Sequence, residues 1–252
     1  VTCYNEEDFI VDSIKSVIEA MGHVAISYEI LVIDDASKDG SVARIRKFME
    51  ENPQYPISLH VNEINHGFAC NYVDGAFLGR GKYYHLICGD NSMPFQFLVD
   101  AYRLLGKADI VIPYQIQQEV VGKSVARKTI SRIFTSLVNL LSGYRIKYYN
   151  GMPVHRRFSV MRWHPISYGF GFQADLLTML LDQGASYIQV YSRSIDLKGP
   201  RSTSLTMRNF LSVCHTLLEI AIRRVRRTLY GKNWPKPVEV FDSAQSKPPE
   251  GC

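Results

Sequence analysis

Leu86-Ile87-Cys88-Gly89-Asp90-Asn91-Ser92-Met93-Pro94 is the stretch on which the fold of this chain turns. An apolar run from Tyr83 to Cys88 stops abruptly at Gly-Asp-Asn and is followed by a proline. A short apolar run bounded by turn residues is the pattern of a buried strand. This one delivers a carboxylate, Asp90, to the edge of a sheet. Ligands of open α/β sheets bind in the crevice outside the strand C-termini. A second run, Ile30 to Ile33, ends in the same way at Asp34-Asp35. Two strands that each end in Asp imply one polar crevice, and the remaining sequence reads as its scaffold.

Upstream, Val1 to Cys3 reads as the tail of a first strand entered partway, with no initiator Met and any targeting segment out of view. Asn5-Glu6-Glu7 reads as a helix start, capped by Asn5 with acids in the first turn. Ile10, Ile14, Val17 and Ile18 continue it at helical spacing. Tyr28 to Ile33 and Ile57 to Val61 read as strands, with a helix to about Glu51 between them and another over Gly67 to Gly79. A helix over Phe95 to Leu105 and a strand over Asp109 to Pro113 follow. This alternation predicts an α/β fold with a mostly parallel central sheet and helices on both faces.

The second half changes character. Ser124 to Leu141 reads as an amphipathic helix with Ala126, Ile130, Ile133, Phe134, Leu137, Val138 and Leu141 on one side. Asn150-Gly151 signals a turn. A helix over Gln173 to Leu181, a strand over Tyr187 to Ile195 and a helical run over Met207 to Leu229 follow. Prolines and polar residues after Trp234 suggest a loose tail. The expected organisation is one domain over 1–212 with its first strand truncated, a basic amphipathic C-terminal helix over 213–239, and a flexible tail over 240–252.

The chain has 252 residues, 46% hydrophobic and 21% charged, enough for one large α/β core and unlike a disordered chain. A net charge of +5 is too small to argue for nucleic acid. Part of it is local, at Arg223, Arg224, Arg226 and Arg227. That helix reads either as core-packed with a solvated basic end, or as an interfacial helix meeting anionic lipid heads. Five cysteines without a CxxC suggest reduced thiols and a cytoplasmic location, peripheral at a membrane if the basic helix docks there. No apolar stretch reaches the length of about eighteen residues that spans a bilayer. No GxGxxG or P-loop follows any strand, which argues against a dehydrogenase.

Several patterns coincide. Tyr4-Asn5-Glu6-Glu7 precedes Val32-Ile33-Asp34-Asp35-Ala36-Ser37-Lys38-Asp39-Gly40-Ser41, then Asn65-His66-Gly67-Phe68-Ala69-Cys70-Asn71, then Gly89-Asp90-Asn91-Ser92-Met93-Pro94. Asn150 to Arg157 and Gly169-Phe170-Gly171-Phe172-Gln173-Ala174-Asp175 follow. This order resembles the family 2 glycosyltransferases with the GT-A fold, and the later segments resemble the dolichol-phosphate mannose synthase branch. The resemblance covers roughly residues 1 to 212. It implies an inverting transfer from a nucleotide-diphosphate sugar to a polyprenyl phosphate. A saccharide acceptor in polysaccharide biosynthesis, or an inactive nucleotide-sugar-binding subunit, are the alternatives.

The resemblance also distributes roles. Thr2, Tyr4, Glu6, Asp34, Asp35 and Asn71 fall at the nucleotide, with Asp35 recognising the base. Taken without the resemblance, the Asp pair reads as a helix-capping Asp with a solvated neighbour. Asp90 falls at the second Asp of the family's Asp-x-Asp, holding a diphosphate through Mg²⁺ or Mn²⁺. The first Asp is replaced by Cys88, a poor ligand for a hard cation, so Asn91 or Ser92 would supply oxygen instead. Asp90 also suits a plain turn. Asp175 falls at the acidic position of inverting members, as general base for a hydroxyl acceptor or as an orienting group for a phosphate. It is also an acid favoured at a helix start. Arg127, Arg132, Arg157, Arg201 and Ser204 are candidates for phosphate or acceptor contact.

Overall fold

The computed structural model describes residues 1–93, 95–114, 124–164, 169, 171–191, 207–231 and 234–242, leaving out the side chain of Arg208. The first half alternates as expected: β1 (Thr2–Cys3), α1 (Ile10–Val24), β2 (Ile30–Asp34), α2 (Ser41–Glu51), β3 (Ile57–Val61), α3 (Phe68–Leu78), β4 (Tyr83–Tyr84), α4 (Phe95–Tyr102) and β5 (Ile110–Tyr114). The second half carries α5 (Val125–Ser142), β6 (Val154–Arg156), α6 (Arg157–Met161), α7 (Phe172–Asp182), β7 (Ser186–Tyr191), α8 (Met207–Tyr230) and β8 (Val238–Glu239).

The strands form two sheets, ordered β1-β2-β3 and β4-β6-β5-β7-β8. Pairing of β6 with β4 and β5 is antiparallel and every other pairing is parallel. The sheets meet at the opening stretch. Thr2 and Cys88 form a parallel bridge, with Thr2 N–H donating to the Ile87 carbonyl at 2.9 Å and Gly89 N–H to the Thr2 carbonyl at 2.9 Å. The expected strand over Tyr83 to Cys88 therefore changes partner midway. It leaves β6 after Tyr84 and rejoins the parallel sheet beside β1. His85 marks the switch, its ring nitrogens lying 3.0 Å from the Tyr102 hydroxyl and 2.8 Å from the Met152 carbonyl.

The apolar spacing of α1 buries Ile10, Ile14, Val17, Ala20 and Met21 against the sheet and α4. Its start differs from expectation. Asn5 does not cap it: the Asn5 backbone has φ 54° and its side chain accepts from Lys38 N–H at 2.8 Å. Asx side chains offer the backbone such local alternatives to helix. A second core gathers Trp163, Phe172, Leu176, Leu177 and Ile220 around α3 and α7. Ile220 belongs to α8, which begins at Met207 as the helical run predicts and packs into this core. Beyond it, Val238 and Glu239 add β8 to β7 in parallel.

His155 on β6 lies at the centre of this packing, 2% exposed, and its Nδ1 has no hydrogen-bond partner among the described residues. Burial, with a smaller contribution from neighbouring His85, pushes its pKa from 6.5 to about 3. The unfolded chain therefore takes up a proton near pH 6.5 that the fold refuses. Stability present above pH 6.5 falls as pH drops, with a loss of roughly 3 kcal/mol at this residue by pH 4. Urea midpoints measured from pH 8 to pH 4 should decline over that window, and a His155→Asn variant should decline less.

Candidate active site

β1, β2 and the segment ending at Cys88 run parallel, so their C-terminal ends lie side by side. The register places Cys3 beside Asp34 and Thr2 beside Cys88. Asp34, Asp35 and Gly89-Asp90 thus leave one edge.

At that edge Asp34 is fully buried, and its Oδ2 accepts from Ser37 N–H at 2.9 Å. Its Oδ1 has no partner among the described residues. Asp35 is 4% exposed. Its carboxylate accepts from Asn62 Nδ2 (3.0 Å), His66 N–H (2.8 Å) and Gly67 N–H (2.9 Å). Asn62 Nδ2 also donates to Asn71 Oδ1 at 2.8 Å, and Asn71 is 1% exposed. Asp35, the residue expected at the nucleobase, thus has three protein donors around its carboxylate. Burial pushes its pKa up, but hydrogen bonding from Asn71, the His66 N–H, Asn62 and the Gly67 N–H outweighs this and holds it below the usual carboxylate range. The anion sits at the start of α3, where the helix N-terminus favours it. Gly67 serves as N-cap with φ 85°, a conformation that L side chains resist. Asp35 and Asn71 therefore build the wall of the crevice.

The loop after β1 is stitched to the loop after β2. Asn5 N–H donates to Ser37 Oγ (2.9 Å), Glu6 N–H to Ser41 Oγ (2.9 Å) and Glu7 N–H to Asp39 (3.1 Å), while Glu7 accepts from Gly40 N–H (2.8 Å). Asp39 also accepts from the Ser41 hydroxyl at 2.6 Å. The Asp-Gly-Ser part of the motif is thus a scaffold that leaves Tyr4 projecting, 48% exposed. Thr2 lies on the rim, its hydroxyl directed to the Ile87 carbonyl at 3.4 Å.

Gly89 allows the close approach of these loops. A Cβ there would lie 2.8 Å from the Thr2 carbonyl oxygen, 3.0 Å from Ile10 Cδ1 and 3.4 Å from Glu6 Cγ. Gly89→Ala should lower stability by roughly 1–3 kcal/mol through overpacking. Thermal unfolding measures this, and an unchanged midpoint would refute the close approach.

Asp90 is half-buried, and its side chain accepts from Ser92 N–H at 3.2 Å. Its second oxygen has no partner among the described residues. Asn91, the other expected oxygen donor, lies against α1. With φ 51°, it donates its N–H to Ser13 Oγ (2.8 Å) and accepts from Ser16 Oγ (3.2 Å), so its amide oxygen is committed to α1. Among the described residues no group of three His, Cys, Asp or Glu side chains could hold a metal. The donor set here is one carboxylate with a free oxygen. That suits a divalent ion shared with substrate phosphates, since Mg²⁺ is commonly held by one or two carboxylates plus phosphate oxygens. It does not suit an ion held by protein alone.

Asp175 lies inside the domain. Its side chain is 3% exposed, accepts from Trp163 Nε1 at 2.9 Å and is ion-paired with Arg223 Nη1. Arg223 also donates to Thr178 Oγ1 at 2.6 Å. Asp182 lies 2.9 Å from Arg227 Nη1 and 3.6 Å from Arg223 Nε, and accepts from the Tyr144 hydroxyl at 2.7 Å. Asp175, Thr178 and Asp182 share one face of α7, and Arg223 and Arg227 share one face of α8, so the spacings interlock. The arginine cluster is therefore divided, with Arg223 and Arg227 turned inward and Arg224 and Arg226 exposed. Sequence spacing alone contained this division, but the assignment of α8 to the domain core was needed to see it.

Arg157 is not brought to the crevice. Its guanidinium donates to the carbonyls of Gly81 (2.9 Å) and Ala76 (3.0 Å), beside the start of β4 and so at the opposite end of that run from Asp90. Arg127 and Arg132 lie on α5, half-buried and exposed. Arg201 and Ser204 lie outside the described residues.

The architecture is that of solved GT-A glycosyltransferases. Similar structures are a mannosyltransferase from Pyrobaculum calidifontis, solved with GDP-Man and Mn²⁺ (TM-score 0.58, 13% identity, 92% of this chain and 74% of that one), and mannosyl-3-phosphoglycerate synthase from Rubrobacter xylanophilus (TM-score 0.62, 14% identity, 97% and 76%). The glycosyl transferase family 2 model matches residues 1–166, and the chain belongs to that family. A dolichyl-phosphate beta-glucosyltransferase of Dictyostelium discoideum is 31% identical over 101 residues, covering 38% of this chain and 31% of that protein. The match therefore spans about a third of that relative's length.

Proposed function

We propose that this chain transfers a sugar from a nucleotide-diphosphate donor to a polyprenyl phosphate, with inversion at the anomeric carbon. The nucleotide lies along the edge formed by Thr2, Tyr4 and Glu6 and the wall built by Asp34, Asp35 and Asn71. Asp90 faces the diphosphate and, with Ser92, is the residue that would hold a Mg²⁺ or Mn²⁺ ion there. When bound, the ion neutralises charge on the leaving diphosphate. The acceptor oxygen forms the new bond to the anomeric carbon as the bond to the diphosphate breaks, and the nucleoside diphosphate leaves with the electron pair.

The observation that carries the choice of acceptor is the burial of Asp175. A hydroxyl acceptor needs a base to take its proton. The carboxylate at the family's base position is instead sealed by Trp163 and Arg223. A phosphate monoester is already largely ionised near neutral pH, its second pKa being about 6, and needs no such base. The partial match to a dolichyl-phosphate enzyme supports the same reading.

A panel of UDP- and GDP-sugars tests this proposal, assayed with a short-chain polyprenyl phosphate with and without Mn²⁺. Product is expected with one donor and only with the metal. Mn²⁺ binding is expected to be measurable with nucleotide present and weak without it. Transfer to free saccharides but not to the lipid phosphate would overturn the acceptor. Cys88 in place of a first carboxylate favours one second reading, a nucleotide-sugar-binding subunit without turnover. Donor binding with no transfer to any acceptor would select it.

A further inference from the structure

The two sheets join at the Thr2–Cys88 bridge, so the outermost strands of the joined sheet are β3 and β8. Exposed edges invite pairing, and proteins blunt them with short strands, prolines, lysines or inward charges. β8 is blunted, since it spans two residues and follows Pro237. β3 is not: Ile57-Ser58-Leu59-His60-Val61 has five residues and no Pro, Lys, Arg, Asp or Glu.

The ladder fixes which backbone groups face outward. Ile30 N–H donates to the Pro56 carbonyl and Asn62 N–H to the Asp34 carbonyl, both at 2.9 Å. Alternate residues of a parallel strand bond to one neighbour, so positions 56, 58, 60 and 62 serve β2. The N–H and C=O of Leu59 and Val61 therefore point away from β2, where no strand lies among the described residues. The Ile57 carbonyl points the same way, while its N–H donates to the Tyr55 carbonyl at 2.8 Å.

Beside this edge a groove runs between α2 and β3, lined by Arg46, Met49, Glu50, Leu59 and Val61. Val61 is 40% exposed. Arg46 and Glu50 are both exposed and stand one helical turn apart. Lys47 and Glu51, one position on, pair with each other at 3.8 Å, whereas Arg46 and Glu50 make no ion pair among the described residues.

A two-fold axis normal to the sheet at Leu59 would set β3 antiparallel to β3 of a second copy. Leu59 would then exchange both backbone hydrogen bonds with Leu59 of that copy, and Val61 N–H would meet its Ile57 carbonyl. The same axis lays the two α2 helices antiparallel on one face, which brings Arg46 to Glu50 of the other copy. An isologous contact requires such a self-complementary patch. An unrelated peptide strand could use the edge but has no reason to carry the matching order of charges.

We propose that β3 pairs with β3 of a second copy of the chain, giving a two-fold dimer with one sheet continuous across it. This goes beyond the proposed function and depends on no reading of the catalytic chemistry.

The test is sedimentation equilibrium of the full chain, with hydrogen exchange followed at the Leu59 and Val61 amides. A dimer is expected, and exchange at both amides should slow as protein concentration rises. Arg46→Glu and Glu50→Arg each set like charges against one another across the axis, and each should raise the dissociation constant roughly tenfold. The two substitutions together should restore it. Val61→Pro removes an outward donor that β2 does not use, a change that edge strands tolerate, and should give a monomer with an unaltered circular dichroism spectrum. A chain that stays monomeric at every concentration reached overturns the proposal. So does a dimer indifferent to the single charge reversals, or one whose exchange protection falls away from Leu59 and Val61.

Discussion

Asp90→Ala is expected to lower sugar transfer by roughly three orders of magnitude while the protein remains folded. Charge stabilisation by a metal at a leaving group contributes several kcal/mol to a transition state, and each 1.4 kcal/mol is about tenfold in rate. The effect is concentrated on one side chain because Cys88 stands where the resemblance places the first Asp of the Asp-x-Asp pair, and the Asn91 amide oxygen is committed to Ser16. The cost in stability should be small, because the Asp90 side chain is half-buried and accepts one backbone hydrogen bond, from Ser92. Steady-state kinetics with Mn²⁺ and the preferred donor, beside a urea titration, separates the two effects. Equal turnover for Asp90→Ala and wild type would remove Asp90 from the chemistry.

Arg223→Ala carries the largest expected effect on stability. It strands Asp175 in a site where the carboxylate is 3% exposed and, among the described residues, keeps only the Trp163 indole N–H as a side-chain donor. Removing one partner of a buried ion pair costs roughly 3–5 kcal/mol, because the other charge stays desolvated. Domains are marginal by about 5–15 kcal/mol, so the loss is a large share of the total. Removing both charges, as Asp175→Leu with Arg223→Met, should recover much of it. The pair also discriminates between acceptors. If Asp175 served as general base, Asp175→Asn would lower turnover by roughly two to four orders of magnitude. A structural Asp175 predicts that correctly folded Asp175→Asn protein, stabilised by Arg223 contacts to Thr178 and Asp182, retains turnover within about tenfold of wild type.

Much of the fold was legible because its signals are local. The βα alternation over the first half, the small-residue helix after Gly67 and the strand ends at Asp34 and Gly89 all show in period and punctuation. What was not legible depends on partners far apart in sequence. Asn5 has the chemistry of a cap, yet Lys38 and Ser37 lie within reach and claim it. Asp35 reads as a free carboxylate until Asn62, His66 and Gly67 close around it. The run from Tyr83 to Cys88 reads as one strand, although it is shared between β6 and β1. On α5, apolar residues at positions 130, 133 and 137 look identical to those at 134, 138 and 141 in a one-dimensional pattern. Only the packing of α8 decides which set is buried. The arginine run on α8 likewise divides in two only once α7 supplies Asp175 and Asp182.

The most direct test of the central claim is a crystal structure with nucleoside diphosphate and Mn²⁺, with the metal located by its anomalous signal. The expected peak lies between the diphosphate and the carboxylate of Asp90, with the nucleoside along Thr2 and Tyr4 and the wall at Asp35 intact. A nucleotide bound elsewhere, or a manganese peak that Asp90 does not touch, would contradict it.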